Sequence, residues 1–317
     1  MSSTLLVTVV IPARNRAHTL ERAIGSVLAQ DVADLEILVV DDASTDDTVK
    51  VVRGMGDPRI RLLQHSERHG GSAARNTGIR AARGAFIALL DSDDEWLPGK
   101  LAAEIEAFRE APAKVGLIFT GFERIWSDGA VETFLPEVPN DLHRRMLFQG
   151  NLLRGATSSA LIRRGCFDRA GLFDECLPAL QDYDMWIRIT RDFDVLLIPK
   201  VLMRVFADAT DRISINLRAR EAASAILSEK YRAELTWWQY RALRAWRLSR
   251  VAYKWYLGGD ARRARRLAWR AVLVWPLSKR AWIYGLVSLA PPRAYARLRT
   301  VVRPFRNAFQ ENVEHES

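Results

Sequence analysis

GAFIALLDSDDEWLP, residues 84–98, is the stretch on which the fold turns. Phe86–Leu90 is an unbroken apolar run, the pattern of a strand covered on both faces rather than on one. It stops abruptly at Asp91-Ser92-Asp93-Asp94, and Pro98, read as helix position N1, opens a helix to Glu110. Upstream the same grammar repeats. Leu5–Ile11 (LLVTVVI), Leu35–Val40 (LEILVV) and Ile60–Leu63 read as strands, and the second of them ends in Asp41-Asp42. Between them lie helical stretches at Thr19–Gln30, with Leu20, Ala23, Ile24, Val27 and Leu28 on one face, at Thr45–Arg53 and at Ser72–Arg83. Strands alternating with helices predict βαβ units: an α/β protein with a mostly parallel sheet sandwiched by helices. In such sheets ligands bind at the carboxyl ends of the strands. Both acidic clusters stand there.

Farther on the pattern is mixed. Val115–Phe122, Thr157–Ile162 and Val195–Ile198 read as strands and Tyr183–Thr190 as a helix. From Ile213 to about Arg306 it is helical, broken at Gly258-Gly259, with Asp260 as N-cap of a helix Ala261–Val274 that Pro276 ends. Pro291-Pro292 ends the next helix. The expected organisation is a domain over 1–212, its halves falling at 1–110 and 111–212, followed by a helical region over 213–317.

Composition separates the same two regions. The 317 residues carry a net charge of +9, but residues 218–317 hold 21 Lys and Arg against 7 Asp and Glu, and seven of the ten tryptophans. The remainder is mildly acidic. With 49% hydrophobic residues the chain is globular, not disordered. Two cysteines, Cys166 and Cys176, cannot build a disulfide framework or a four-cysteine zinc site. The longest uncharged run near the C-terminus, Ala281–Pro292, is too short to span a bilayer. Leu5–Pro12 lacks the basic start and cleavage site of a signal peptide and reads as a buried strand, so a cytoplasmic location is expected. ARRARRLAWRAVLVW, Ala261–Trp275, is a basic amphipathic helix with Trp at its polar border, a pattern suited to an anionic membrane surface. The same cations suit nucleic acid, but no nucleic-acid motif accompanies them, and none is expected as a partner.

Three carboxylates within four residues, at 91–94, repel one another unless a cation lies among them. Mg²⁺ or Mn²⁺ takes oxygen ligands, commonly one or two carboxylates plus substrate phosphates. Asp93 is placed to face such an ion and Asp91 to reach a ribose hydroxyl; the alternative is a solvated loop with a helix cap. Asp42 can accept from a base N–H, whereas Ser44 and Asp46 can cap the next helix. Arg14, in Pro12-Ala13-Arg14-Asn15, can stack on a base, contact a phosphate or simply face solvent. Gly70-Gly71 opens a helix whose N-terminus attracts phosphate, but the segment matches no phosphate-loop motif. Asp182, ahead of the helix at 183, is either an N-cap or a general base.

In order, VTVVIPARNR, LEILVVDDASTDDT, GGSAARNTGI, GAFIALLDSDDEWLP and LQDYDMWIRI resemble the motifs of the family 2 glycosyltransferases of the GT-A fold, over about residues 5–206. The resemblance implies an inverting enzyme that moves a sugar from a nucleotide diphosphate sugar, a UDP-sugar foremost, to a glycan or lipid-linked acceptor hydroxyl, in the assembly of cell-surface polysaccharide. It places Pro12, Ala13, Arg14, Asp42, Arg75, Asp91 and Ser92 at the nucleotide, Asp93 on a divalent ion (Mn²⁺ or Mg²⁺), and Asp182 as the base. Gln181, Trp126 and Trp186 are candidates for the acceptor side, the two tryptophans reading equally well as core. Two departures stand out. Gln181 replaces the Glu that commonly precedes the base, and Phe206 stands where many members have a histidine, with Asp208, Asp211 and Arg212 as possible substitutes. The competing readings are a sugar-1-phosphate nucleotidyltransferase, whose first loop is glycine-rich and basic, unlike PARNR, and a non-catalytic binder of nucleotide sugars or nucleic acid.

Overall fold

The computed structural model describes residues 7–135, 138–153, 157–207 and 216–289. The chain divides into two compact units, Met1–Arg212 and Ile213–Ser317.

The first unit is one sheet between helices. β1 (Val7–Ala13), β2 (Leu35–Asp41), β3 (Ile60–Gln64) and β4 (Phe86–Leu89) lie parallel in the order β3-β2-β1-β4. The crossovers are α1 (Leu20–Leu28), α2 (Thr48–Gly54) and α3 (Gly71–Ala81). After β4 come β5 (Glu95–Trp96), α4 (Lys100–Glu110), β6 (Val115–Ile125), β7 (Val131–Phe134), α5 (Leu142–Gln149), β8 (Ala160–Arg163), α6 (Gly165–Ala170), α7 (Gln181–Asp192) and β9 (Asp194–Phe206). The sheet continues from β4 as β8-β6-β9-β5, with β7 on β6. β8 is antiparallel to both β4 and β6, and β9 is parallel to β6. Six strands therefore point the same way, and their carboxyl ends share one edge. The chain leaves β1 toward β2 on one side and returns to β4 on the other. The crevice at that reversal is where ligands enter such sheets.

Both sheet faces are covered, which is why the strands read as continuous apolar runs. Val7, Val9, Ile11 and Ala13 of β1 pack with Leu20, Ile24 and Val27 of α1 and Leu101, Ile105 and Phe108 of α4. The opposite face carries Val10, against α3. Gly78 lets that helix come close: a Cβ there would lie 2.3 Å from Val10 Cγ1. Gly78→Ala is therefore expected to push α3 off β1 and cost about 1–3 kcal/mol. Gly25→Ala on α1, where a Cβ meets nothing within 4 Å, should be neutral or mildly stabilising. Thermal melts of the pair check this; equal melting temperatures would contradict it.

Some boundaries differ from the sequence reading. Pro98 is not N1 of α4: the N-cap is Gly99, at φ +80°, so the proline lies one residue before the cap and two before the first helical residue, Lys100. Thr157–Ser159 is a 3-10 turn rather than the start of β8. β9 is far longer than Val195–Ile198, because irregular pairing with β6 between Thr120 and Glu123 carries it past Pro199.

The second unit is α8 (Leu217–Lys230), α9 (Trp237–Leu257), α10 (Ala261–Val274) and α11 (Lys279–Val287). Each start is capped by a side chain: Asn216, Thr236 (in a capping box with Gln239), Asp260 as expected, and Ser278. Small residues let α9 to α11 approach closely, among them Ala245, Ala252, Ala268, Ala271 and Ala281. Pro291-Pro292 and the expected helix to Arg306 lie outside the described residues. Among the described residues no helix is long and apolar enough to cross a membrane.

Candidate active site

The loops beyond β1 and β2 are laced together at the carboxyl edge. The Asn15 N–H donates to Ser44 Oγ (2.9 Å), and Asn15 Oδ1 accepts from the Thr45 N–H (2.8 Å). Asp46 accepts from the backbone of Ala17 (3.2 Å) and Thr48 (3.0 Å), so it ties the loop after β1 to the first residue of α2, whose N-cap position is Asp47 rather than Ser44 or Asp46. Asn15 (φ +52°), Ala43 (φ +55°) and Leu180 (φ +63°) are the non-glycine residues of positive φ among those described. Such backbone is sterically costly and concentrates at functional sites. Here one residue follows β1, one follows β2 and one precedes α7.

Both acids that end β2 are buried. Asp42 is 3% exposed. Its Oδ1 accepts from the His69 N–H (2.8 Å) and from His65 Nδ1 (2.9 Å), and its Oδ2 from the Gly70 N–H (2.8 Å). Burial pushes this carboxyl up, but those hydrogen bonds outweigh it and hold Asp42 below the ordinary carboxylate range. The carboxylate thus anchors the loop after β3 and retains one acceptor direction for a ligand. The amide of Gly70 that opens α3 answers Asp42, not a free phosphate. Asp41 accepts from the Ser44 N–H at 3.3 Å through Oδ2, while its Oδ1 is buried without a hydrogen-bond partner.

The four residues after β4 divide into distinct tasks. Asp91 Oδ1 lies 2.5 Å from Arg75 Nη2 of α3. The Asp91 N–H donates to Ser158 Oγ (2.9 Å), and the Ser158 hydroxyl donates to Asp94 Oδ2 (2.6 Å). Trp96 Nε1–H donates to the Ser158 carbonyl (2.8 Å), and Lys100 Nζ sits 4.3 Å from the Trp96 ring while gripping Glu104 at 2.7 Å, all buried. Ser92 is also buried. Asp93 stays half-exposed. Its carbonyl accepts from Arg22 Nη2 (2.8 Å), whose guanidinium lies 3.7 Å from the centroid of Phe206. A cation on an aromatic ring therefore occupies the place where a histidine was expected. Asp208, Asp211 and Arg212 lie outside the described residues.

α7 brings the remaining acid to the same edge. Phe193, just past its end, lies against Gly116 near the start of β6, and Trp186 meets Phe119 with ring centroids 5.1 Å apart. Going backward along α7 thus advances along β6, so Asp182 stands toward the carboxyl ends. The N-cap is Leu180, which places Asp182 in the first turn rather than at the cap. Asn151 Nδ2 donates to Asp182 Oδ2 (3.2 Å). Gln181 donates instead to the Leu177 carbonyl (3.0 Å).

Among the described residues no group of three or more His, Cys, Asp or Glu could hold a metal ion by itself. A half-exposed Asp93, with Asp91 engaged by Arg75, instead fits a hard divalent ion completed by phosphate and water oxygens. Polar atoms without partners lie around the same crevice: Arg14 Nε, Arg75 Nε, Ser72 Oγ and Asp41 Oδ1 are all buried. Pro12 and Ala13 contribute backbone only, as the paired end of β1, with the Ala13 carbonyl accepting from the Asp42 N–H (2.8 Å).

One acceptor candidate must be withdrawn. Trp186 is fully buried against Phe119 and offers no face to a sugar. Trp126, 43% exposed beyond the end of β6, keeps an open face. Ser158, Arg22, Asn151 and His65 had no signal: each reaches the site from a segment whose local pattern is unremarkable.

With the geometry in hand, the comparisons agree with one another. The family model "Glycosyl transferase family 2" matches residues 8–171. The succinoglycan biosynthesis protein ExoO of Rhizobium meliloti is 36% identical over 187 residues, 56% of this chain and 53% of that one. The UDP-Glc:alpha-D-GlcNAc-diphosphoundecaprenol beta-1,3-glucosyltransferase WfgD of Escherichia coli is 33% identical over 192 residues, 60% of this chain and 72% of that one. An uncharacterized glycosyltransferase of Rickettsia felis is 34% identical over 191 residues, of which the match covers 59% of this chain and 31% of the relative. The match thus spans about a third of the Rickettsia relative's length and about half of the Rhizobium one's. Among solved structures, the mannosyltransferase PcManGT of Pyrobaculum calidifontis, in complex with GDP-Man and Mn²⁺, has a TM-score of 0.57 at 22% identity, over 93% of this chain and 86% of that one. TarS 1-349 of S. aureus, in complex with UDP-GlcNAc, has a TM-score of 0.56 at 15% identity, over 96% of this chain and 92% of that one. These structures share the GT-A fold with this chain. The crevice at the reversal of strand order, its acidic loop and the family match lead to one conclusion: the chain belongs to glycosyl transferase family 2.

Proposed function

We propose that the chain transfers a sugar, with inversion, from a nucleotide diphosphate sugar to an acceptor hydroxyl in the assembly of a cell-surface polysaccharide or glycan. The observation that carries this reading is the gathering at one sheet edge of Asp93, the Asp91–Arg75 pair and Asp182, the last from a helix nearly ninety residues farther along. The acceptor oxygen attacks the anomeric carbon from the side opposite the diphosphate. The bond from that carbon to the phosphate oxygen breaks, and its electron pair leaves with the nucleoside diphosphate. Asp182 takes the acceptor proton. Arg14, just after β1, and Arg75, on α3 beside Asp91, are assigned to the diphosphate and nucleotide, and Asp93 would hold the divalent ion. When bound, that ion offsets charge on the departing diphosphate as a Lewis acid.

A UDP-sugar is the first donor to try, since WfgD's name and the TarS complex both carry a UDP-sugar, with GDP-Man the second. A lipid-linked glycan is the acceptor class, and the reaction is assigned to the cytoplasmic face of a membrane, with residues 218–306 as the peripheral contact. The nucleotidyltransferase alternative loses ground because Pro12 and Ala13 continue strand β1 instead of forming a basic glycine loop.

A thermal-shift screen of nucleoside diphosphates with Mn²⁺ should raise the melting temperature for one base. Labelled transfer from the matching sugar donor should then give product of inverted anomeric configuration. Retention of configuration would overturn the assignment of Asp182, and the absence of any stabilising nucleotide would overturn the whole reading.

A further inference from the structure

The outer face of the second unit sets a row of cations beside a row of exposed apolar side chains. On α10, Ala264, Leu267, Ala268, Ala271 and Val272 are buried, which turns Arg262, Arg266 and Arg270 to solvent. No ion pair among the described residues engages these three. On α11 the inward positions are Ala281, Gly285 and Ser288. Its outward positions are Trp282, Ile283, Leu286 and Leu289, exposed by 42%, 36%, 58% and 53%. An outward helix face is ordinarily polar; here it is the apolar one. The two rows adjoin. Trp269 of α10 meets Trp282 edge to face at 5.8 Å, and the Arg265 guanidinium donates to the Ser288 carbonyl at 3.2 Å. Leu273 and Leu277, more than three-quarters exposed, carry the apolar strip around the connection between the helices.

Charge says what this face meets. Residues 216–289 hold 16 Lys and Arg and 4 Asp and Glu. Three of those acids are engaged inside the unit: Glu221 accepts from Trp255 and Arg263, Glu229 from Tyr240, and Asp260 caps α10. Residues 290–317 add Arg293, Arg297, Arg299, Arg303 and Arg306 against three glutamates. We propose that the α10–α11 face docks the protein on an anionic lipid surface, with Trp282, Leu286 and Leu289 entering the acyl boundary and Arg262, Arg266 and Arg270 meeting headgroup phosphates. Leucine buried at that depth gains the hydrophobic free energy, and each cation near the surface adds to it. Nucleic acid gives half-exposed leucines nothing to enter, and single-strand binders rely on open aromatic faces. Trp282 is committed to Trp269 and, through its indole N–H, to the Pro276 carbonyl. The proposal deepens the peripheral contact assigned above to residues 218–306 and rests on that part of the reading; it concerns the second unit alone, so its failure would leave the transfer reaction standing.

The test is co-sedimentation of the full chain with phosphatidylcholine vesicles, with and without about a third phosphatidylglycerol, at about physiological ionic strength. The chain should sediment with the anionic vesicles and not with the neutral ones. Arg262→Gln with Arg266→Gln should weaken partitioning by roughly thirtyfold, and Leu286→Ser with Leu289→Ser by tenfold or more. All four side chains are exposed, so the melting temperature should not move. A parent that stays in the supernatant, indifference to lipid charge, or variants that sediment like the parent would each overturn the proposal. Two other outcomes also overturn it. Oligonucleotide binding lost in the arginine pair, without vesicle binding, assigns the face to nucleic acid. A dimer that the leucine pair dissolves assigns it to a second copy.

Discussion

Asp182→Asn is expected to reduce transfer by about 10²–10⁴-fold, the usual range for loss of a general base, while nucleoside diphosphate binding changes little. The substitution is nearly isosteric, and the new amide oxygen can still accept from Asn151 Nδ2, which lies 3.2 Å from Asp182 Oδ2. The stability cost should be small, about 0.3–1 kcal/mol, for removing a negative charge from the first turn of α7. The neighbouring acid supplies the contrast. Asp184 is fully buried and meets Arg188 at 2.9 Å, and Arg188 in turn holds the carbonyls of Ala170 and Leu172. Asp184→Asn should therefore lower stability by about 3–5 kcal/mol, as breaking a buried pair does. One variant stops the reaction in a folded protein; the other loosens the fold. Single-turnover transfer, nucleotide calorimetry and thermal melts on both variants separate the roles. Turnover of Asp182→Asn comparable to the parent would refute its role in the chemistry.

The cores of β1, β2 and β4 were legible because these strands are buried almost throughout and so read as apolar runs, whereas β3 and β9 are only partly buried. The first four lay within a residue or two of their observed bounds. The acidic ends were legible for a related reason. A carboxylate directly after a buried strand has no packing role to explain it, and Asp42, Asp91 and Asp93 all arrive at the carboxyl edge. Chemistry that depends on a distant partner was not legible. Nothing in DSDD says that Asp94 turns inward to Ser158, that Asp91 turns to Arg75, and that Asp93 stays half-exposed. Nor does Lys100, at the surface by its residue type, announce that it is sealed with Glu104 under Trp96. Trp186 was open in the sequence for the opposite reason: an aromatic residue near an acid reads equally as a sugar platform or as core, and its helical position turns it toward Phe119. Phe206 reads in sequence as a missing ligand. In the fold it is a seat for Arg22, which brings positive charge beside the Asp93 carbonyl by another route.

That division of labour among the acids after β4 makes Asp93→Ala the sharper probe of the metal. Removing the Asp93 carboxylate should weaken Mn²⁺-dependent binding of the nucleoside diphosphate by at least ~10–100-fold, a range that even outer-sphere losses reach. The residual binding should no longer respond to EDTA. Alanine keeps the backbone carbonyl that accepts from Arg22, and a melting curve reads what the half-exposed carboxylate contributes to stability. Asp94→Asn should behave in the reverse manner. Asp94 is 2% exposed and accepts from the Ser158 hydroxyl at 2.6 Å, and Ser158 also receives the Asp91 N–H. Weakening that charged hydrogen bond should cost about 1.5–3 kcal/mol of stability, with metal dependence retained. Calorimetry of the nucleotide with Mn²⁺, repeated in EDTA, reads the first effect, and a melting curve reads the second. If Asp93→Ala bound nucleotide as tightly as the parent, with or without EDTA, the divalent ion would have to be assigned to other oxygens or withdrawn from the mechanism.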